Sequence, residues 1–455
     1  MRLLHAFLPL MALMLYSADG SAAETRTPRP LQVSETGRFL VTSDGKPFFW
    51  LGDTAWRLQL LPPRDLAFYL DTRKAQGFNV IQGPILSRDS ADYRGTANDD
   101  PANPNEAFFA HIDRIVAATA RRGLYSALVV IWGHGFNAFD GPEGARRYGM
   151  WLGARYRGRT NVVWIVAGEY AIDRHDEASL AIWRALGEGL RAGSEGRNLI
   201  TVHGSWAPPR LQTPSTFYHA DAFLDFNMVQ TGQGGNYTEG AASWRLIESD
   251  YRKTPTKPVI DGEATYEHPA IGDKPAWDGF GVRRRAYWSV FAGGFGHTYG
   301  AEPIPYFQMG WKDALNWEGG TTMVHLRRLI ESRPMLRRIP DQDLIVEERA
   351  AGDTSRCKPG PIPCGVPDHV QATRDAAGRY AMIYIPGGGR TVSIDASRLA
   401  GERLVAWWYD PSEGSARRIG TFARANTLRF TTPRGRDWVL VIDDATAGYA
   451  APGRT

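Results

Sequence analysis

Residues 161–169 read NVVWIVAGE and residues 257–267 read KPVIDGEATYE. Each begins as a short, unbroken apolar run and ends on a glycine followed by a glutamate. Strands buried on both faces read this way, whereas half-exposed strands alternate. Both segments are therefore expected inside a parallel sheet, with a carboxylate delivered at the strand end. The residues between and around them repeat the pattern. Apolar runs are expected as strands at 48–52, 78–82, 125–132, 162–166, 199–203, within 222–230, at 258–261 and at 295–300. Helical periods fall at 64–76, 106–122, 143–156, 177–191, 241–251, 282–291 and 321–332. Eight strands alternating with helices over residues 48–338 predict a (β/α)₈ TIM barrel, with 161–169 and 257–267 as its fourth and seventh strand ends. An open doubly wound sheet would place a Gly-rich phosphate loop after an early strand, and Gly52-Asp53-Thr54 is not one.

The flanks differ in texture. Residues 24–47 hold a leader and a hairpin over 31–47, with Asp44-Gly45 as its turn signal. Residues 339–445 carry short β-rich runs at 344–347, 370–373, 380–385, 391–394, 404–409, 427–430 and 438–442, separated by Gly, Pro and Asp. That pattern predicts an all-β sandwich domain, followed by a tail over 446–455. Residues 1–23 combine Arg2, an apolar run and a Ser21-Ala22-Ala23 end, the pattern of a signal peptide cleaved before Glu24. Read instead as a membrane anchor, the run is short against the ~20 residues that a span needs. An exported chain, periplasmic or secreted, is expected, with no membrane attachment after cleavage. In that compartment Cys357 and Cys364, the two cysteines of the chain, are expected to form a local disulfide.

A formal charge of +4 without a block of like charge gives no support for nucleic-acid binding. Fifteen tryptophans are many for 455 residues, and aromatic faces suit sugar rings as well as cores. At the expected strand ends lie Asp53, Trp56, Asn79, Gln82, Trp132, His134, Glu169, His203, Trp206, Gln230, Glu263, Tyr266, His297 and Tyr299. Amides and carboxylates bind sugar hydroxyls, and rings cover C–H faces, so a glycan pocket fits this set. Two carboxylates over one cavity are the equipment for breaking a glycosidic bond. Glu263 and Glu169 are the candidates; Val259, Asp261 and Glu263 share strand phase, so Glu263 is expected to face the cavity and Ile260 the helices. Glu267, Asp173 and Asp176 are the nearest competing carboxylates. The three histidines stand on different strands with no HExxH helix, so neither a metal nor another cofactor is expected. Gly204-Ser205-Trp206 is no nucleophile elbow. A non-catalytic glycan-binding protein on the same scaffold is the alternative from another class.

The blocks FFWLGDTAW, GFNVIQG, NVVWIVAGE, DFNMVQTGQ, KPVIDGEATYE and AGGFGHTYG together resemble the apiosidase-like glycoside hydrolases. AWWYDPSEG at 406–414 is similar to the C-terminal β domain of the collagen-binding type that follows their barrel. The resemblance implies a (β/α)₈ catalytic domain, pectic side chains as one substrate class, and catalytic carboxylates at strand ends four and seven. Glu263 matches the strand-seven glutamate. Where the family typically has Gly-Gly-Asp at strand four, this chain has Ala167-Gly168-Glu169.

Overall fold

The computed structural model describes residues 27–86, 91–98, 100–132, 138–168, 177–204, 213–232, 243–269, 276–349 and 369–454. A small antiparallel sheet of β1 (Leu31–Val33), β2 (Leu40–Thr42) and β3 (Pro47–Phe48) comes first. The parallel strands follow: β4 (Trp50–Thr54), β5 (Val80–Leu86), β6 (Tyr125–Ile131), β7 (Val162–Ile165), β8 (Ile200–Thr201), β9 (Asn227–Gln230), β10 (Val259–Glu263) and β11 (Gly296–Tyr299). Every residue of these strands is buried, which is why they read as apolar runs. Their order is β8-β7-β6-β5-β4-β11-β10-β9. The two ends of that order meet where Asp225 N–H donates to the Ile200 carbonyl at 2.9 Å and Thr201 Oγ1 donates to Phe226 O at 2.6 Å. The sheet is thus a (β/α)₈ barrel, as expected.

Helices α1 (Pro63–Ala75), α2 (Glu106–Arg121), α3 (Gly141–Tyr156), α4 (Glu177–Gly193), α5 (Ser215–Tyr218), α6 (Ser243–Tyr251), α7 (Gly279–Phe291), α8 (Trp311–Ala314) and α9 (Glu318–Glu331) complete this part of the chain. Among the described residues no helix is long and apolar enough to cross a membrane. The strands depart from expectation where punctuation misleads. Strand β5 begins at Val80 and runs through Gly83-Pro84 to Leu86, where the sequence suggested an end at 82. A Cβ on Gly83 would fall 2.8 Å from the Ala55 carbonyl, so this glycine serves close packing rather than a turn.

The second domain is the expected antiparallel sandwich. Its larger sheet has the order β12 (Arg338–Pro340), β14 (Gln371–Asp375), β15 (Tyr380–Pro386), β20 (Asp437–Asp444), β17 (Arg403–Asp410), β18 (Ser415–Ala423). The smaller holds β13 (Ile345–Arg349), β16 (Thr391–Asp395) and β19 (Thr427–Thr431). Strand β18, SARRIGTFA, was not legible as a strand because it lies at the sheet edge with no fully buried residue. Period-two alternation divides the large sheet between two cores. Ala381, Ile383 and Ile385 of β15, with Leu440 and Ile442 of β20, pack inside the sandwich. Tyr380, Met382 and Tyr384, with Val439 and Val441, join the barrel core instead.

This second face rests on α7 and the end of α9. Tyr287 stacks on Tyr384 with centroids 4.8 Å apart. Buried Arg283 grips Asp437 through Nε at 3.1 Å and Nη2 at 3.0 Å, and Arg333 grips Asp443 at 2.8 and 2.7 Å. Arg338 donates to the Val290 and Gly294 carbonyls at the C-terminal end of α7, where a cation also meets the negative helix pole. Removing one partner of a buried pair strands the other charge, which typically costs about 3–5 kcal/mol. Arg283 keeps Glu318 at 2.9 Å as a second partner, so the cleaner test is the other pair: we expect Asp443→Ala to lower the unfolding free energy by about that amount in denaturant titration. The two domains of that variant should still unfold in one transition by fluorescence and circular dichroism.

Candidate active site

The end of β10 decides the site. Asp261 pairs with Val229 of β9, and Glu263 pairs with Gln230, so β10 carries one extra residue there. Such a bulge re-aims the side chains that follow it. Asp261 points out of the barrel: it accepts from Thr231 Oγ1 at 2.9 Å and from Ser289 Oγ of α7 at 3.1 Å. Glu263 points in. The expected assignment of Glu263 to the cavity is thus met, but the shared phase offered for it is not. Gln82 reaches across the barrel and donates to the Gly262 carbonyl at 3.1 Å, holding the bulge from inside.

Both oxygens of Glu263 are held. Gln230 Nε2 donates to Oε2 at 3.0 Å, and the Tyr266 hydroxyl donates to Oε1. Trp56 Nε1 donates in turn to the Tyr266 oxygen at 2.7 Å. Burial, and next the Glu263 charge, push the Tyr266 phenol well above its ordinary value, so it stays a donor. His203 Nε2 lies 3.1 Å from Glu263 Oε2, yet neither of its ring nitrogens is aligned for a hydrogen bond among the described residues. We take this as a close polar contact rather than a directed bond. Trp56 and Trp132 stand beside it with centroids 4.3 Å apart, and His203 packs against both at 6.1 and 5.5 Å. A Cβ on Gly168 would meet the Trp132 ring at 2.2 Å, which explains the glycine at this strand end.

Glu169, His134 and Trp206 lie outside the described residues, as do Asp173, Asp176, Cys357 and Cys364. The structure brings together Trp56, Gln82, Trp132, His203, Gln230, Glu263 and Tyr266, and sends four others elsewhere. Asn79 precedes β5 at the far end of the barrel, where it bonds Leu51 N and Phe49 O, both at 2.8 Å. Asp53 faces α1, ion-paired with Arg73 at 2.7 Å and bonded by the Tyr69 hydroxyl at 2.5 Å. Tyr299 faces α9 and donates to Glu267 at 2.6 Å. His297 shares its side of β11, and burial pushes its imidazole down to about 3. These four correct the expectation of substrate contact: a strand-end position does not fix which side of the sheet a residue takes. Glu267 accepts from Gly319 N at 3.0 Å in the first turn of α9 and so serves as a helix cap. Among the described residues no group of three or more His, Cys, Asp or Glu side chains is arranged to hold a metal ion.

A parallel barrel that aims a clamped carboxylate from its seventh strand into a tryptophan-walled mouth is built for work on carbohydrate. The comparisons agree, and the protein is a glycoside hydrolase. Residues 34–337 match the family model "Apiosidase-like, catalytic domain", and the chain belongs to that family. Residues 364–443 match "Putative collagen-binding domain of a collagenase". A solved structure titled "Glycoside hydrolase" is 32% identical with a TM-score of 0.80, over 93% of this chain and 98% of that one. A glycoside hydrolase family 5 structure from Bacteroides vulgatus is 31% identical, also at 0.80, over 93% and 96%. No curated protein matches the chain.

Sequence reading did not assign Asp261 its outward role. Burial raises its carboxyl from 3.8 to about 6, against the Thr231 and Ser289 hydrogen bonds. The folded chain therefore binds this proton more tightly than the unfolded chain, and stability falls as pH rises from about 4 to 6. We expect Asp261→Asn to remove that slope. Thermal unfolding from pH 3.5 to 7.5 should show the variant gaining on the parent across this window and levelling above it, by at most about 3 kcal/mol.

Proposed function

We propose that the protein is an exported, retaining glycosidase acting on side chains of a pectic polysaccharide, with Glu263 as nucleophile and Glu169 as general acid/base. The observation that carries this reading is the grip on Glu263, whose two oxygens are fixed by Gln230 and Tyr266. A nucleophile gains rate from being held in attack geometry before the substrate arrives. Family membership supports the second carboxylate at strand end four, where Glu169 follows Gly168. The substrate class follows the family description, and the Asp-to-Glu difference at that position bears on which sugar is accepted.

In the proposed cycle, one oxygen of Glu263 attacks the anomeric carbon while its bond to the leaving oxygen breaks. Glu169 gives that oxygen its proton, and a glycosyl ester of Glu263 forms. Water then attacks the same carbon, Glu169 takes the water proton, and the Glu263 carboxylate departs. Gln230 and Tyr266 remain in place to receive the departing carboxylate in this second step. Such a site needs the two carboxyl groups about 5–5.5 Å apart.

Replacing Glu263 by Ala should reduce turnover by about 10³-fold or more on every substrate, since no other group supplies the covalent step. Replacing Glu169 by Ala should hurt poor leaving groups most, because good ones need little protonation. Azide should restore part of the Glu263→Ala activity with inverted product. Near-normal turnover of a folded Glu263→Ala protein would remove the assignment, and loss of activity without any leaving-group dependence in the Glu169 variant would remove its acid role. Export has its own check. Mass spectrometry of the protein recovered outside the cytoplasm should find Glu24 as the first residue, and an intact leader would contradict cleavage.

A further inference from the structure

The chain after β11 forms a braced arm beside the Glu263 mouth. Glu267 N donates to Gly300 O and Glu302 N to Glu267 O, each at 2.9 Å, so residues 300–302 lie along the segment that follows β10. A Cβ on Gly300 would fall 2.3 Å from the Tyr266 ring, so the arm presses directly on the phenol that holds Glu263. Arg57 N donates to Pro305 O at 2.9 Å, tying the arm to the residue after Trp56. Within the arm, Ile304 N bonds Ala301 O at 2.8 Å, Phe307 N bonds Ile304 O at 3.0 Å, and Gln308 N bonds Pro303 O at 2.9 Å.

At the tip of this arm the backbone is strained. Phe307 has φ +49°, a left-handed conformation that residues with a side chain rarely adopt. Its ring is anchored edge-on against Tyr69 at 5.3 Å and Trp311 at 5.2 Å. The turn that seats Phe307 inward leaves its neighbour Tyr306 outward, 44% exposed. The guanidinium of Arg57, the residue after Trp56, lies 5.8 Å from the Tyr306 ring centroid. Tyr306 is also close enough that the two phenols disfavour each other's ionisation, a small part of the upward push on Tyr266. Strain held beside a site, with an aromatic ring left in water, fits a ligand-contact role better than a packing role.

We propose that Tyr306 is a substrate-binding residue, whose exposed ring stacks on a sugar unit of the glycan bound at Glu263. The proposal rests on the glycosidase reading and adds the arm after strand eight as a wall of its binding cleft. A tyrosine face suits a sugar ring because it offers an apolar surface with a polar tip. Arg57 and the anchored Phe307 hold that face in place before the glycan arrives, which limits the entropy lost on binding.

The test uses Glu263→Gln protein titrated by calorimetry with apiose-bearing oligosaccharides released from pectin. Adding Tyr306→Ala should weaken binding about tenfold, the scale of one lost ring contact. Tyr306→Phe, which keeps the face, should bind within about twofold of the parent. Met150→Ala removes a comparably exposed apolar side chain, 45% exposed on α3, and should change nothing. Equal affinity of the Tyr306→Ala protein, or an equal loss in Met150→Ala, overturns the proposal. Absence of binding by the Glu263→Gln parent overturns it for pectic glycans. Binding by that parent together with no hydrolysis by the native enzyme leaves Tyr306 standing and removes the catalytic reading instead.

Discussion

One extra residue in β10 is the constraint on which the site depends. Without the slip between Asp261 and Glu263, two side chains separated by two positions would face the same way. With it, Asp261 is drawn outward by Thr231 and Ser289, and Glu263 is drawn inward by Gln230 and Tyr266. The two carboxylates pull the strand from opposite sides, and Gln82 fixes the peptide between them. The outward acid is not a bystander: its hydroxyl partners sit on α7 and beyond β9, so the inward acid is aimed by the helix layer as much as by the barrel wall.

Most of the fold was legible because parallel strands in a barrel leave a strong mark. Runs such as VVWI and YSALVVI are too uniformly apolar for anything half-exposed. The site was legible only as a set of strand ends. Asp53, His297 and Tyr299 occupy such positions, yet they turn towards the helices, because each strand has two sides and the sequence pattern of a doubly buried strand does not distinguish them. Glu263 was placed facing the cavity by a phase argument that the bulge reverses for Asp261, so its inward orientation was reached through an incomplete reason. Tyr306 left no mark in the sequence. Its exposure follows from the left-handed turn at Phe307, a residue type that signals no turn.

Two glycines let aromatic rings pack directly on the backbone beside the mouth. Gly168 lets the Trp132 ring lie on the backbone that leads to Glu169, and Gly300 lets the Tyr266 ring lie on the arm after β11. In both places aromatic side chain meets peptide with no side chain between. The rings therefore have little room to tilt, and the pocket walls inherit the rigidity of the barrel.

The joint between the domains bears on how such chains can be recombined. A carbohydrate-binding module carried on a linker can be cut off and grafted elsewhere without harm to its catalytic partner. Here Tyr384, Met382 and Val441 are shared with the barrel core, and Arg283, Arg333 and Arg338 cross or line the seam. A shortened gene ending after α9 would encode a barrel with an open greasy flank and an Arg283 deprived of Asp437. Exchanging one half alone would expose that seam, so the two halves are best expressed and engineered as a single piece.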